Sequence, residues 1–371
     1  MSKIDGLFLK CRKMEKRFVF DVCIALLLSG GPWFTRPALA NSSWNIQTVD
    51  STCDVGRTTS IALDKTGHSH ISYWDYTNGE LKYASYNGQT WDIETVDSTG
   101  WSGYTVFTAI DLDAAGRPRI SYDNGSRAEL KYAAFNGSGW DIERVDSSQA
   151  MGSFTSLALD ASGHPHISYA DSTNYDLMYA TFDGSKWHIK TVDSKGIVGW
   201  DTSIALDANE NPHICYTDST NYDLKYAAFN GSTWNVATVD SPGGVGLQTS
   251  IGLDGKGKPH ISYTDYPNGD LKYATYNGSR WDIQTVDSTG WVGYDTSIAV
   301  DSNGNPHISY FDASNIDLKY AAFNGSSWDI ETVDSTGNVG RYTSIALDVN
   351  ENPHISYLDF ANHNLKYAYA N

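Results

Sequence analysis

A tryptophan recurs along the chain at a nearly constant spacing, and this repeat constrains the fold more than any other feature. The step is 47 residues throughout, except for one step of 49. A fixed period in the 40s is typical of repeat architectures, in which each unit packs mainly against its neighbours. The repeated residues are Trp44, Trp91, Trp140, Trp187, Trp234, Trp281 and Trp328. We therefore divide the chain from residue 44 onward into seven units.

Each unit contains four segments that are typical of β-strands. In the unit from Trp281 to Ser327 they read WDIQTVD, TSIAVD, PHISYFD and LKYAAF. The first two are rich in β-branched residues, and the third alternates Ile308 and Tyr310 with polar residues, as a strand with two different faces does. The fourth ends at Asn324-Gly325, which favours a tight type I′ hairpin. That hairpin joins it to the tryptophan strand of the next unit.

Seven units of four antiparallel strands predict an all-β fold, a seven-bladed β-propeller. The longest connection, DSTGWVGYDT, is expected to run from the outermost strand of one blade to the innermost strand of the next, which places the tryptophan strand outermost. The segment from Trp44 to Asp50 is then an outermost strand without a blade, and the chain stops after a third strand, LKYAYAN. We predict that the N-terminal strand joins the C-terminal blade and closes the ring, which removes its free edges.

Residues 1–40 have a different composition, and we predict that they form a signal peptide that precedes the propeller at 41–371. Five basic residues between Lys10 and Arg17 precede the apolar run VCIALLLSGGPWF, and Ala38-Leu39-Ala40 has the small residues of a cleavage site. The alternative is a membrane anchor, but the run is shorter than the ~20 residues of a spanning helix. The chain is therefore expected to be secreted or periplasmic, without membrane insertion after cleavage.

The net charge of −18 bears on possible partners. Removal of the leader takes away seven basic and three acidic residues, which makes the remainder more acidic, at −22. A negatively charged protein surface repels the phosphates of nucleic acid, so no nucleic-acid partner is expected. Cys53 and Cys215 lie in unlike positions of different units, so we predict no disulfide framework and a monomer stabilised by burial.

Histidines occupy one position of the third segment in six units, and Arg119 stands there in the second unit. They are His70, His166, His213, His260, His307 and His354. Equivalent residues of different blades lie far apart, and no unit adds a second ligand at metal-binding spacing, so no metal and no cofactor are predicted. We interpret each His, with the following Ser and Asp, as a hydrogen-bond network inside one blade. The turn DSNGNP resembles a calcium loop, but four of the seven units lack its alternate oxygens.

The long loops and the turns between the second and third strands are expected to emerge on one face of the ring. Aromatic rings beside Asp and Asn suit carbohydrate, because a sugar offers a C–H face for stacking and hydroxyls for hydrogen bonds. The alternative is that these rings seal the seams between blades. The candidate aromatic residues are Trp101, Tyr104, Trp200, Trp291, Tyr294 and Tyr342. The candidate polar residues are Asn174, Asn221, Asn268 and Asn315.

The motif D-x-x-G-x-P-H-I-S-Y, at Asp160 to Tyr169 and Asp301 to Tyr310, resembles the repeats of bacterial secreted seven-bladed propellers. Its D-x-x-G turn is loosely similar to the Asp-box of sialidase-like proteins. The resemblance implies the architecture, and no catalytic residue is transferred from it, because the sialidase arginine triad cannot be assembled from the scattered arginines.

Two functions are compatible with these observations. The first is a non-enzymatic binding module, lectin-like and multivalent, which binds a glycan or an extracellular protein on the long-loop face. The second is a glycoside hydrolase or lyase with a single site at the mouth of the central channel. The uniformity of the units favours binding, because an enzyme concentrates its irregularity in one place, and we predict no catalytic residue.

Overall fold

The computed structural model describes residues 43–98, 106–123, 129–146, 152–241 and 243–370. These residues form 28 strands in seven antiparallel sheets of four, and each sheet is one blade of a β-propeller. The predicted fold class is confirmed. The predicted leader lies outside the described residues, and no helix within them is long and apolar enough to span a membrane.

Each blade runs from an innermost strand to an outermost strand, in the predicted order. The innermost strands are β2(Arg57–Leu63), β6(Thr108–Leu112), β10(Gly152–Leu159), β14(Val198–Leu206), β18(Val245–Leu253), β22(Tyr294–Val300) and β26(Val339–Leu347). The second strands are β3(Ser69–Asp75), β7(Pro118–Asp123), β11(Pro165–Asp171), β15(Pro212–Asp218), β19(Pro259–Asp265), β23(Pro306–Asp312) and β27(Pro353–Asp359). The third strands are β4(Glu80–Tyr86), β8(Leu130–Phe135), β12(Asp176–Phe182), β16(Asp223–Phe229), β20(Asp270–Tyr276), β24(Asp317–Phe323) and β28(Asn364–Tyr369). The outermost strands are β1(Asn45–Asp50), β5(Trp91–Ser98), β9(Trp140–Asp146), β13(Trp187–Asp193), β17(Trp234–Asp240), β21(Trp281–Asp287) and β25(Trp328–Asp334). We number blades 1 to 6 from β2 onward, and blade 7 consists of β26, β27, β28 and β1.

The apolar core is divided among the seams between neighbouring blades. At the seam between blades 5 and 6, Leu271 and Tyr273 of blade 5 pack against Ile308 and Tyr310 of blade 6. Trp328 closes the outer side of this cluster with its ring edge-on to Tyr273, at a centroid distance of 5.3 Å. The same contact recurs at all seven seams, with distances of 5.1 to 5.5 Å. The repeated tryptophans therefore join neighbouring blades.

A buried or partly buried carboxylate at the end of each outermost strand ties it to the next blade. Asp287 accepts hydrogen bonds from the Tyr310 hydroxyl at 2.7 Å and from Lys319 Nζ at 2.6 Å. Burial by itself raises the pKa of Asp287, but bonds from Lys319, Thr289 and Tyr310 outweigh it and lower the pKa to about 2. The tyrosine bond is present at every seam, at 2.6 to 2.8 Å. In blade 3, Met178 replaces the lysine.

Hydrogen bonds between neighbouring blades also surround the channel. Ser250 Oγ accepts the backbone N–H of Ile298 in the next blade at 3.2 Å, and the same bond forms at six of the seven seams. Ala109 takes the place of the serine in blade 2, where the Asp111 carboxylate accepts the N–H of Leu159 at 2.9 Å instead. A carboxylate thus replaces the missing hydroxyl.

The interpretation of His, Ser and Asp as one network inside a blade is wrong. His260 Nδ1 lies 2.6 Å from the Tyr273 hydroxyl, and its Nε2 lies 3.9 Å from Asp254 of the preceding hairpin. Ser262 instead accepts a hydrogen bond from Thr296 of the next blade, at 2.9 Å. Successive side chains of a strand point to opposite faces, so Ser262 and His260, two residues apart, share one face. On that face, Ser262 bonds to the neighbouring blade and His260 bonds within its own blade.

The ring is closed as predicted, by one N-terminal strand and three C-terminal strands. Strand β1 pairs antiparallel with β28, with Asn45 opposite Tyr369. Beyond these main-chain bonds, Trp44 packs on Tyr320 of blade 6, and Asp50 binds Tyr73 and Lys82 of blade 1. Strand β1 therefore contributes to two seams as well as to its own sheet.

Deletion of residues 41–52 is expected to expose the edge of β28 and to disrupt both seams. We predict aggregation, or a fall in the melting temperature of roughly 10 °C or more, measured by a thermal melt with size-exclusion chromatography. A control that lacks only residues 1–40 retains β1 and is expected to melt as the parent does. An unchanged, monomeric 41–52 deletion would contradict this account of closure.

Candidate functional site

The long loops lie beside the turns that join the second and third strands, as predicted. The N–H of Val198 donates to the carbonyl of Tyr175 at 2.9 Å, and the N–H of Ile197 donates to Thr220 Oγ1 at 2.7 Å. The long loop between blades 3 and 4 is therefore held between turns of both blades. One face of the ring consists of these loops and turns, and the innermost strands start there, around the mouth of the channel.

One position at this mouth has an unusual backbone conformation. It directly precedes a threonine that is present in all seven units, and in six of them it adopts a φ between 49° and 56°. This left-handed region is uncommon for residues other than glycine, and such strain is concentrated at functional sites. The six residues are Thr58, Phe154, Asp201, Gln248, Asp295 and Tyr342. Phe107 is their equivalent in blade 2. The side chain at this position differs between most pairs of neighbouring blades.

Aromatic side chains occupy one part of the mouth. The Phe107 and Phe154 rings lie 4.4 Å apart, and the Phe154 and Trp200 rings stack at 5.5 Å with an interplanar angle of 27°. All three rings are partly exposed. They form a continuous apolar surface over blades 2 to 4, and we call these three residues the aromatic arc.

Carboxylates and an amide occupy the next part of the mouth, on blades 4 to 6. The Asp201 carboxylate accepts the backbone N–H of Gln248 at 2.9 Å, and the Gln248 side-chain amide donates to Asp295 at 2.9 Å. The Gln248 side-chain oxygen in turn accepts the backbone N–H of Asp295 at 3.0 Å. We call Asp201, Gln248 and Asp295 the polar arc. Gln248 holds the two carboxylates in fixed positions on the blades beside it.

Burial in the mouth changes the acidity of these groups. It raises the pKa of Asp201 to about 6, the N–H of Gln248 opposes this effect, and the negative charge of Asp295 adds to it. Burial also raises the pKa of Asp295, against the opposing N–H of Tyr342 and the charge of Arg341. The two carboxylates therefore take up protons more readily than ordinary aspartates do.

A further acidic group lines the channel below the mouth. Asp111 stands where the other six units have Ala or Gly, and burial raises its pKa to about 6. Its carboxylate accepts the N–H groups of both Leu159 and Leu112. Asp111 therefore has a structural function at the seam between blades 2 and 3, and we do not include it in the site.

The structure brings together part of the predicted site. Trp200 lies in the aromatic arc, and Tyr342 follows Asp295 around the mouth. Tyr294 takes in blade 6 the position of Trp200, directly before Asp295. Its ring and that of Trp291 both lie edge-on to Tyr266, and Trp291 is 47% exposed. Trp101 and Tyr104 lie outside the described residues.

The predicted asparagines have partners inside their own turns. Asn221 donates its side-chain amide to Asp218 at 3.0 Å. The same bond forms for Asn174, Asn268 and Asn315. A ligand role for these four residues stays a prediction, and we leave them out of the candidate site.

The polar arc was not predicted from the sequence. The available signal was the residue that precedes the invariant threonine, which is of five different types in the seven units. Among the described residues, no group of three or more His, Cys, Asp or Glu side chains is placed to hold a metal ion. The mouth therefore offers stacking surfaces, two carboxylates and an amide to a ligand.

The raised pKa of Asp201 predicts a pH-dependent stability. The folded state holds this proton more tightly than the unfolded chain, so the free energy of unfolding falls as the pH rises from about 4 through about 6. The variant Asp201→Asn keeps the acceptor oxygen but cannot ionise. We expect it to be more stable than the parent at pH 7.5 by up to about 3 kcal/mol, and equal to the parent near pH 4, in denaturant unfolding.

The control is Asp287→Asn at a seam. The pKa of Asp287 is lowered to about 2, so its charge stabilises the fold above pH 4 and this variant is expected to lose stability at pH 7.5. Equal pH profiles for the parent and Asp201→Asn would contradict the burial of the Asp201 charge.

No protein-family model and no curated protein matches the chain. Among solved structures, it is similar to AofleA from Arthrobotrys oligospora, at 14% identity and a TM-score of 0.54, over 78% of this chain and 89% of that chain. It is also similar to a mutant Aleuria aurantia lectin in complex with α-methyl-L-fucoside, at 15% identity and a TM-score of 0.51, over 76% of this chain and 96% of that chain. An ulvan lyase, described as a new family of polysaccharide lyase, is similar at 13% identity and a TM-score of 0.62, over 86% and 95% of the two chains. At such identities these similarities show the propeller fold.

Proposed function

We propose that the chain is a carbohydrate-binding protein that binds one saccharide at the mouth of its channel, on the long-loop face. The observation that carries this proposal is the direct continuity of the aromatic arc with the polar arc. Phe154 of the first and Asp201 of the second hold equivalent positions on the neighbouring blades 3 and 4. A ligand that spans both must offer an apolar face and several hydroxyls.

A pyranose ring meets these requirements. Its axial C–H groups stack on an aromatic face, as the partly exposed rings of Phe154 and Trp200 would allow. Its hydroxyls are donors and acceptors, and the polar arc supplies carboxylate acceptors from Asp201 and Asp295 together with the Gln248 amide. The positive-φ backbone fixes these groups before a ligand arrives, which lowers the ordering cost of binding.

The mouth supports one composite site better than seven equivalent ones. Its seven positions carry a threonine, two phenylalanines, two aspartates, a glutamine and a tyrosine. A multivalent binder requires the same side chains at each blade. We therefore propose a single site in place of the multivalent arrangement that the uniform repeats predicted. The occurrence of a lectin with a fucoside among propellers of similar fold is consistent with a saccharide ligand.

Hydrolysis or elimination at the same mouth is the second candidate. The observation that favours it is the pair of carboxylates with raised pKa values, since glycosidases use one carboxylic acid as a proton donor and a second carboxylate as a base or nucleophile. Incubation of the protein with each retained saccharide, followed by product analysis, separates turnover from binding. Cleavage that is lost in Asp201→Asn but not in Leu247→Ala would support the enzyme.

A glycan array with the full chain identifies the saccharide, and a titration then tests the site. The double variant Phe154→Ala/Trp200→Ala removes the stacking surface, and we expect its affinity to fall at least about tenfold, as for the loss of one to two stacking contacts. Since both rings are partly exposed, we expect the melting temperature to change by only a few degrees.

The matched control is Leu247→Ala, which truncates the residue equivalent to Trp200 in the next blade and is expected to retain full affinity. The double variant Trp291→Ala/Tyr294→Ala tests the two rings beside Tyr266 in the same way. If the arc variant kept its affinity while its melting temperature collapsed, these aromatic rings would be seam residues. Absence of any retained glycan would contradict the saccharide proposal itself.

A further inference from the structure

A notch on the outer rim recurs at the seams between blades. Its floor consists of the tryptophan of one outermost strand and the tyrosine on which that ring rests, such as Trp234 and Tyr179 at the seam between blades 3 and 4. Its lip consists of two residues of the preceding outermost strand, here His188 and Lys190. At this seam the notch is a cavity of about 200 Å³ that Thr181 and Phe229 complete.

The lip at this seam differs in charge from every other lip. The position of Lys190 is taken elsewhere by Gln47, Glu94, Glu143, Ala237, Gln284 and Glu331. The position of His188 is taken elsewhere by Asn45, Asp92, Asp141, Asn235, Asp282 and Asp329. The other lips are thus neutral or acidic, in a protein of net charge −18. Strand β13 is the one outermost strand that places a lysine and a histidine side by side on this face.

Lys190 also removes a hydrogen bond that other seams contain. The indole N–H groups of Trp91 and Trp328 donate to Gln47 at 2.9 Å and to Gln284 at 3.0 Å. A lysine cannot accept, and the buried Nε1 of Trp234 has no partner in the described structure. The indole N–H groups of Trp44 and Trp187 also lack a hydrogen-bond partner, but each faces a glutamate that can accept the bond after a side-chain rotation. The lysine at position 190 is therefore unfavourable for the stability of the seam.

The ammonium group of Lys190 is available to a ligand. It is exposed, it forms no ion pair with a described carboxylate, and it lies 5.6 Å from the centroid of the Phe229 ring. His188 is held by Asp183 at 2.6 Å, so its ring orientation is fixed. A second cavity of about 460 Å³ shares Trp234 and is lined by Lys195 and by Lys225, which is paired with Asp193. Its size lies in the range of small-molecule sites, ~300 to 1,000 Å³.

We propose that this cationic rim notch binds the anionic group of an acidic saccharide, a carboxylate or a sulfate ester on a sugar ring. The smaller cavity is sized for the charged group, which Lys190 binds by a charge-assisted hydrogen bond. The exposed aromatic edge and the larger cavity accept the sugar ring. The site is separate from the channel mouth, and it does not depend on a saccharide binding there.

The variant Lys190→Gln tests this proposal, because glutamine is the residue that pairs with the tryptophan at two other seams. Methyl β-D-glucuronide is titrated by isothermal calorimetry, with methyl β-D-glucoside as the uncharged probe and sodium sulfate as the free anion. The parent is expected to bind the glucuronide at least tenfold more tightly than the other two. The variant is expected to lose at least tenfold in affinity for the glucuronide, with an equal or higher melting temperature.

The seam between blades 5 and 6 offers a matched gain-of-function control. It has the same threonine, phenylalanine and tryptophan, Thr275, Phe323 and Trp328, and differs in the lip. The triple variant Asn277→Asp/Asp282→His/Gln284→Lys carries the blade 3 lip there and is expected to bind a second glucuronide. An unchanged glucuronide affinity in Lys190→Gln would overturn the proposal, and so would sulfate binding as tight as glucuronide binding, which would indicate a site for free anions. If variants at the channel mouth lose binding of a neutral sugar, that result tests the proposed site at the mouth and does not test the rim notch.

Discussion

The hydrogen bond of the aspartate at the end of each outermost strand with a tyrosine of the next blade is the interaction on which the ring most depends. A propeller has no central core, so each blade must be fixed to the next one, and a carboxylate out of water is stable only with good partners. Tyr310 and Lys319 supply them for Asp287, and the tyrosine bond repeats at every seam. Because β1 carries Asp50, the strand that closes the ring also bonds to the first complete blade. The aspartate–tyrosine bond that joins neighbouring blades therefore also helps to close the ring.

The seams limit where the repeats can diverge. Most residues that bond across a seam stay the same, although Met178 takes the place of a lysine in blade 3. Where Ala109 replaces a serine, Asp111 supplies a different bond to the next blade. Residues at the channel mouth and on the rim lip carry no such bond in every blade, and there the units differ. The aromatic arc, the polar arc and the cationic rim notch all occupy these free positions. A uniform scaffold can therefore present one composite site although its seven units are near copies.

The sequence predicted the architecture well because period, strand alternation and chain ends are local signals. Trp44 to Asp50 could be placed on the last blade from strand count alone, and the structure confirms it. Contacts between blades were harder to predict. Ser262 and Thr296 are 34 residues apart, and nothing along the strand distinguishes this partner from His260. The polar arc was missed because Asp201 and Asp295 resemble ordinary loop aspartates until the positive φ places them at the mouth.

The central claim is that near-identical blades form a single binding site, and the number of ligands per chain tests it most directly. Native mass spectrometry of the full chain with a neutral oligosaccharide selected on the glycan array measures this number. The account predicts one bound saccharide, lost in the Phe154→Ala/Trp200→Ala variant. Stepwise binding of several equivalent saccharides up to the number of blades would contradict it, and would indicate that the repeated seams, rather than the unique mouth, bind the ligand.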